Sequence, residues 1–306
     1  DMQVELHILG KLCHPHIVKL RATVMGANRK LQGLVLDHLY GTLEDRLALW
    51  KSKHAAYTGL RGKANDRNGT KKVALYQERL QTAHEIATAL VYMHEHDVLY
   101  RDLKPENCGY NAVGQVQLFD FGLAKDISSL TANTDSTYRL TAQSGSLRYM
   151  APEVANGLCY NATCDVYSFG ILYWQLLTLQ DPYELYTPQA LREKVYNGLH
   201  KRPPLKEDMT GTSTTFLECC WHRNLYNRPS MKAVVDCVDN EMLFFQQSIA
   251  SVLESASTHA TRPTMGNRRM SLIFPVATGD DDEDSNEEVG EEEEEEAAQD
   301  AGKTDR

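Results

Sequence analysis

The chain lacks any paired-cysteine motif. Its seven cysteines, at positions 13, 108, 159, 164, 219, 220 and 237, form no C-x-x-C and no metal-binding spacing. An odd thiol count without a signal peptide argues against a disulfide framework and for reduced cysteines in a cytoplasmic or nuclear setting. Long apolar runs are missing too. The most apolar stretch, Val166 to Leu179, is broken by Ser168, Gly170 and Gln175 and is too short to span a bilayer, so no membrane is expected among the partners. A basic excess is also absent. The net charge of -10 is concentrated between Asp280 and Glu296, which hold 13 acidic residues and no basic ones, and the remainder carries about +3. That near-neutral body leaves no footprint for nucleic acid.

What the chain does have is a dense stretch of chemistry, YRDLKPENCGYNAVGQVQLFDFG, from Tyr100 to Gly122. Asp102, Lys104 and Asn107 sit close together, and Asp120 follows after a glycine turn and a short apolar strand, Val116 to Phe119. Phosphoryl transfer needs a carboxylate to orient the attacking hydroxyl and a divalent metal to neutralise charge on the phosphate oxygens. Asp102 suits the first task, and Asn107 with Asp120 suits the second. Asn offers a hard oxygen without another negative charge beside a polyphosphate. Lys104 would place a positive charge beside the transferred group. Each motif is modest alone, but both in this order across a hairpin form a strong signal.

On these residues the chain resembles a eukaryotic protein kinase catalytic domain. YRDLKPEN matches the family's HRDLKxxN with Tyr100 for His, Asp120-Phe121-Gly122 matches DFG, and Ala151-Pro152-Glu153 matches APE. The resemblance implies an α+β, two-lobed fold with a mainly helical large lobe, ATP and Mg²⁺ as cofactors, and proteins with Ser or Thr acceptors as substrates. It makes Asp102 and Lys104 catalytic and Asn107 and Asp120 metal ligands. Glu5 falls on the residue that pairs with a strand lysine, Leu36 on the gatekeeper, and Asp37, His38 and Leu39 on the adenine-binding hinge. Leu9 and Leu20 match positions that stack with Phe121 and Tyr100. Asp165 matches the residue that pins the catalytic loop, and Arg228 the partner of Glu153. Lys104 and Ser146 favour Ser/Thr over Tyr acceptors. Cys220-Trp221, DVYSFGILYW and NRPS most resemble the tyrosine-kinase-like group of Ser/Thr kinases.

The chain departs from the pattern at its start. No G-x-G-x-x-G and no V-A-x-K occurs anywhere, so the small lobe is expected to be a remnant over residues 1–39, cut from a longer protein, with weak ATP binding and little turnover. A pseudokinase or scaffold acting by partner binding is the alternative reading, and a non-functional gene fragment is a third. Oligomeric state is not legible.

In chain order, residues 1–14 read as an amphipathic helix with Val4, Ile8 and Leu12 on one face, stopped by His14-Pro15. Ala22 to Met25 and Leu34 to Leu39 read as strands. Gly41-Thr42-Leu43 opens a helix to about Lys51. Residues 52–72, polar and Gly-rich with a basic bias, read as a mobile insertion. Leu80, Ala83, Ile86, Ala87, Leu90 and Met93 mark a core-facing helix, on which His84 and His94 are structural. Between Gly122 and Glu153 hydroxyls abound, and by resemblance Arg101 awaits a phosphate there, on a residue between Ser128 and Thr141. The kinase domain is placed at 1–250, with residues 40–250 as the large lobe and 251–306 as a disordered acidic tail. Such a tail reads as solvated, as a ligand for basic partners, or as an occupant of the substrate path. Within it, Arg268-Arg269-Met270-Ser271-Leu272 forms a basic-x-Ser-apolar pattern that makes Ser271 a candidate phosphosite, and by resemblance Glu106 and Glu193 match family positions that receive such arginines.

Overall fold

The computed structural model describes residues 2–206 and 209–259. Helix α1 (Met2–Lys11) buries Ile8 and Leu9, and Leu12 is buried just past its end. It ends before His14-Pro15, as the bias of a pre-proline residue against helical backbone requires. An antiparallel hairpin follows, β1 (Leu20–Met25) and β2 (Leu31–Leu36). Both strands reach further toward the N-terminus than their hydrophobic runs suggest, and Asp37 to Leu39 lie beyond β2. Val24, Met25 and Val35 are exposed on this two-stranded sheet.

Thr42 and Asp45 start α2 (Leu43–Tyr57) with a reciprocal cap: Thr42 Oγ1 accepts from Asp45 N at 3.3 Å, and Asp45 Oδ2 accepts from Thr42 N at 2.8 Å. The expected loop at 52–72 is instead largely helical. Helix α2 runs on to Tyr57, α3 spans Gly59–Asn65, and α4 spans Thr70–Glu95. The reason is Asp66, whose buried carboxylate accepts from Lys71 N and Lys72 N at 3.1 and 2.9 Å and satisfies orphan donors of α4. Gly69, at φ 72°, makes the left-handed turn into the helix.

Short strand β3 (Val98–Leu99) leads into the Asp102 loop, which is followed by the hairpin β4 (Cys108–Tyr110) and β5 (Val116–Leu118). Strand β6 (Lys125–Asp126) pairs antiparallel with β3. Val18 N donates to Leu118 O at 2.9 Å and Leu118 N to His16 O at 2.9 Å, which ties the segment after α1 to β5.

After the one-turn α5 (Pro152–Ala155), α6 (Thr163–Thr178) is buried on nearly every side from Cys164 to Leu176, as its continuous apolar sequence requires. The body is completed by α7 (Pro188–Leu191), α8 (Gly211–Cys220) and α9 (Met231–His259). Helix α9 continues past residue 250, so residues 251–259 are helical where a tail was expected. The acidic run and Ser271 lie outside the described residues.

His84 pairs with Asp239 and His94 with Asp165, both as structural partners. Arg228 grips Glu153 through two bonds of 2.6 and 2.8 Å, both side chains being buried. A second buried guanidinium was not anticipated. Arg79 donates to Leu75 O at 3.1 Å and to Leu176 O and Leu177 O, last-turn carbonyls of α6, at 2.9 and 3.0 Å. It thereby closes a helix end that carries negative partial charge. Its spacing with Ala83 and Ile86 was the available sign that it faces the core. Replacing Arg79 with Met orphans those carbonyls and should lower stability by about 1.5–3 kcal/mol in urea denaturation. A variant as stable as the parent would show that water re-pairs them.

Candidate active site

Asp165, in the first turn of α6 and fully buried, organises the site from beneath. Its Oδ2 accepts from Tyr100 N and its Oδ1 from Arg101 N at 2.9 and 2.8 Å, and His94 Nε2 approaches Oδ2 at 2.9 Å. Arg101 is thereby held at φ 69°, a left-handed conformation that few non-glycine residues adopt.

The next residue, Asp102, is 6% exposed and has both oxygens engaged. Oδ1 accepts from Ser146 N at 2.9 Å and from Ser146 Oγ at 3.0 Å. Oδ2 faces Lys104 Nζ and Asn107 Nδ2, each at 2.9 Å. Asn107 Nδ2 also donates to Asp102 O at 3.0 Å. The amide nitrogen of Asn107 is therefore committed, and its oxygen is the end that a cation could use. The approach of Ser146 requires Gly145, because a Cβ there would lie 2.4 Å from Arg101 O at a φ of 105°.

Asp120 comes to the same end of the β4–β5 hairpin, since Cys108 pairs with Leu118 and Phe119 N donates to Asn107 O at 3.0 Å. Asp120 is exposed, sits at φ 60°, and engages only Gly122 N, at 3.4 Å, among the described hydrogen bonds. A carboxylate open to solvent beside a carboxamide oxygen is a hard-oxygen pair that suits Mg²⁺ shared with phosphate oxygens. Among the described residues no group of three or more His, Cys, Asp or Glu forms a self-sufficient metal site.

Phe121 is fully buried, with its ring 5.3 Å from that of Tyr100. Its N–H points to Glu5 Oε1 at 3.4 Å, so α1 reaches the same loop. Leu9 is buried, and Leu20 packs against the same core. At the expected hinge Leu36 is half-buried at the end of β2, and Asp37 N donates to Lys19 O at 3.1 Å. The Asp37 carboxylate is clasped by Arg21, with Nη2 to Oδ2 at 2.8 Å, a pair that motif reading did not anticipate. Leu39 lies against Gly109, where a Cβ would meet its Cδ1 at 2.5 Å. The Asp37 carbonyl and Leu39 N–H take no part in the described backbone hydrogen bonds.

Arg101 leads outward. Its Nε donates to Leu123 O at 2.7 Å and its Nη1 to the Tyr160 hydroxyl at 2.9 Å, and that hydroxyl donates to Thr141 O at 2.9 Å. Tyr160 was missed in the sequence, because no motif marks it and it lies far along the chain from Arg101.

With this geometry in place, comparison with known proteins is informative. The family described as protein tyrosine and serine/threonine kinase matches residues 1–238. The chain belongs to the protein kinase family. This kinase chain is 38% identical over 167 residues to a Drosophila melanogaster protein named putative mitogen-activated protein kinase kinase kinase 7-like, covering 52% of the chain and 40% of that protein. It is 29% identical over 250 residues to human mitogen-activated protein kinase kinase kinase 7, covering 79% and 36%. It is 32% identical over 170 residues to serine/threonine-protein kinase STY17 of Arabidopsis thaliana, covering 55% and 28%. The chain thus spans less than half the length of each of these relatives. No helix among the described residues of this kinase chain is long and apolar enough to cross a membrane.

Asp126 joins α1 to the segment that follows Gly122. It accepts from Ser128 N and Oγ at 2.9 and 2.6 Å and meets His7 Nε2 at 3.0 Å and Lys11 Nζ at 3.1 Å. Burial pushes its carboxyl up, but the Ser128 hydroxyl and N–H, His7 and Lys11 together outweigh burial and hold it well below the usual range. Because the unfolded chain binds the proton more readily, this stabilisation is full above about pH 4 and is lost as pH falls through the folded value. Asp126→Asn should therefore be less stable than the parent near neutrality, with the two denaturation curves converging in acid. A gap at about pH 2 as wide as the gap at neutrality would refute this role for the carboxylate.

Proposed function

We propose that the chain forms most of an ATP-dependent protein serine/threonine kinase, transferring the γ-phosphoryl group of ATP to Ser or Thr hydroxyls of proteins. The observation that carries the reading is the convergence of Ser146, Lys104 and Asn107 on the Asp102 carboxylate. A carboxylate has about four acceptor positions, and here four donors fill them. An incoming acceptor hydroxyl must therefore replace the Ser146 hydroxyl on Oδ1, which puts it against the group that orients it and takes its proton. Lys104, on the other oxygen, would place its positive charge beside the transferred phosphoryl group. Asn107 Oδ1 and the Asp120 carboxylate would hold Mg²⁺, which when bound neutralises charge on the phosphate oxygens. The Asp37 carbonyl and Leu39 N–H, outside the described backbone hydrogen bonds, would pair with the edge of adenine, with Leu36 behind it and Glu5 steadying the phosphate side.

The test is phosphorylation of a generic basic protein with Mg²⁺-ATP by this chain, alone and extended by any coding sequence found upstream of it. Asp102→Ala should lower turnover by about 10²–10⁴-fold, the range of a general base. Equal turnover in the variant would leave the partner-binding reading.

Regulation follows from Arg101. Among the hydroxyls from Ser128 to Thr141, Thr137 is buried, Ser128 is bonded to Asp126, and Thr141 is exposed and joined by its backbone through Tyr160 to Arg101. A phosphate on Thr141 would bring charged acceptors to that guanidinium. Thr141→Ala should lower turnover about tenfold or more, the worth of one charged hydrogen bond. Thr131→Ala and Thr134→Ala should not; equal losses at all three sites would sink the assignment.

A further inference from the structure

The segment between Gly122 and Glu153 is pinned at its middle by a contact that the phosphoryl-transfer site does not use. Residues 133–137 form a braced turn. Asn133 N donates to Thr137 O at 2.8 Å and Ser136 N to Asn133 O at 3.0 Å, while Asp135 Oδ1 accepts from Thr137 Oγ1 at 2.6 Å and from Thr137 N at 3.2 Å. Thr137 is buried, and the next residue, Tyr138, exchanges both backbone bonds with Tyr160, at 2.8 and 3.1 Å. Through its hydroxyl Tyr160 then meets Arg101 and Thr141 O.

Among the described hydrogen bonds, two side chains from outside the turn reach it. Asn161 Nδ2 donates to Ser136 O at 3.3 Å, and the Tyr226 hydroxyl donates to Asp135 Oδ2 at 2.8 Å across 91 residues of sequence. Tyr226 stands on a rigid mount. Asn224 Oδ1 accepts its N–H at 3.1 Å at the start of a single 3₁₀ turn, Leu225–Asn227, and Arg228 just beyond is bonded to Glu153 and to Thr163 O. One loop therefore grips the segment twice, at its far end through Arg228 and at its middle through Tyr226. The Thr137 and Tyr226 hydroxyls hold the Asp135 carboxyl below the usual carboxylate range, and the bond to Asp135 holds the Tyr226 phenol above its usual range. Near neutrality the first is an acceptor and the second a donor. Tyr226 is 56% exposed, so core packing does not account for its placement.

We propose that Asp135 and Tyr226 are a positioning pair, whose bond clamps the 133–137 turn onto the loop before α9 and keeps the stretch from Tyr138 to Thr141 seated on Tyr160 beside Arg101. The consequence for Thr141 rests on the phosphoryl-transfer reading; the clamp itself does not. Bonds within the turn brace it without fixing its place. Its place is set by buried Thr137 and by the bonds to Tyr160, Asn161 and Tyr226. A surface stretch held by so few contacts opens locally, well below the free energy of global unfolding, so the loss of one contact shifts its open population.

Limited trypsin proteolysis of the full chain, read by mass spectrometry, tests this, because exposed Arg139 lies between Tyr138 and Thr141. Tyr226→Phe deletes one hydroxyl. It should raise the rate of cleavage after Arg139 about 2–10-fold, the worth of one hydrogen bond, and leave cleavage after exposed Arg29 and the urea midpoint unchanged. In an Asp135→Ala background the same substitution should have no further effect, because its partner is already gone. Parental cleavage in Tyr226→Phe, an equal rise after Arg29, or an undiminished effect in the Asp135→Ala background would each overturn the pairing. Turnover should fall in Tyr226→Phe but not when the change is added to Thr141→Ala; an undiminished loss there would overturn the route through Thr141. A parent chain that phosphorylates nothing would sink the phosphoryl-transfer reading and leave the cleavage test of the clamp intact.

Discussion

The Asp165 carboxylate is the constraint on which the site rests. A carboxylate removed from water is costly unless every lone pair finds a donor, and this one finds Tyr100 N, Arg101 N and His94, with the α6 N-terminus beneath it. In return it fixes two consecutive backbone amides, one of them in a left-handed residue whose conformation costs about 1–2 kcal/mol. With Arg101 held so, Asp102 is aimed at Ser146, and the tight approach of Gly145 to Arg101 O closes the arrangement from the other side. Removing the buried anion would loosen all of these contacts at once, because among the described hydrogen bonds none of the loop's own side chains reaches the backbone N–H of Tyr100 or Arg101.

Contacts from α1 show how the small lobe is coupled to this loop. Glu5 touches the backbone of Phe121, while His7 and Lys11, on the same helix, converge on Asp126. Displacing α1 would therefore disturb both ends of the segment from Phe121 to Asp126. Packing of Ile8 and Leu9 in the core supplies adhesion without direction, and the charged contacts supply the direction.

Much of the site was legible because its chemistry is local. Asp102, Lys104 and Asn107 lie within one turn of chain, and Asp120 is brought back by a hairpin whose glycine and apolar strand are visible in the sequence. The buried Glu153–Arg228 pair and the Asp165 anchor were legible only through family resemblance, since 75 and 64 residues separate the partners. The insertion at 52–72 was misread as loop because its helices lack an apolar stripe and its decisive cap comes from Asp66, ahead of the helix it stabilises. Arg79 and Tyr160 were missed for a different reason. Each works by bonding to backbone carbonyls from other parts of the chain, and a carbonyl leaves no mark in a sequence.

Three arginines show how environment decides what a guanidinium can do. Arg228 is buried and meets a carboxylate, so its charge is cancelled where it stands. Arg79 is buried with backbone carbonyls and the Tyr76 ring as partners, and burial lowers its affinity for the proton, to a pKa of about 10, yet it remains charged at neutrality. Among the described residues it forms no salt bridge, and its bonds to Leu176 O and Leu177 O close α6. Arg101 also has neutral partners, Leu123 O and the Tyr160 hydroxyl, but it is only half-buried and forms no salt bridge among the described residues. Its charge is therefore uncompensated and accessible, a combination that neither of the others has. An anion arriving there gains a charge-assisted bond without the full desolvation cost of a buried pair. The same reasoning separates Arg101 from exposed Arg21, whose charge Asp37 already neutralises. Of these four guanidinium groups, Arg101 alone is placed to make the order of the segment after Gly122 depend on an added negative charge.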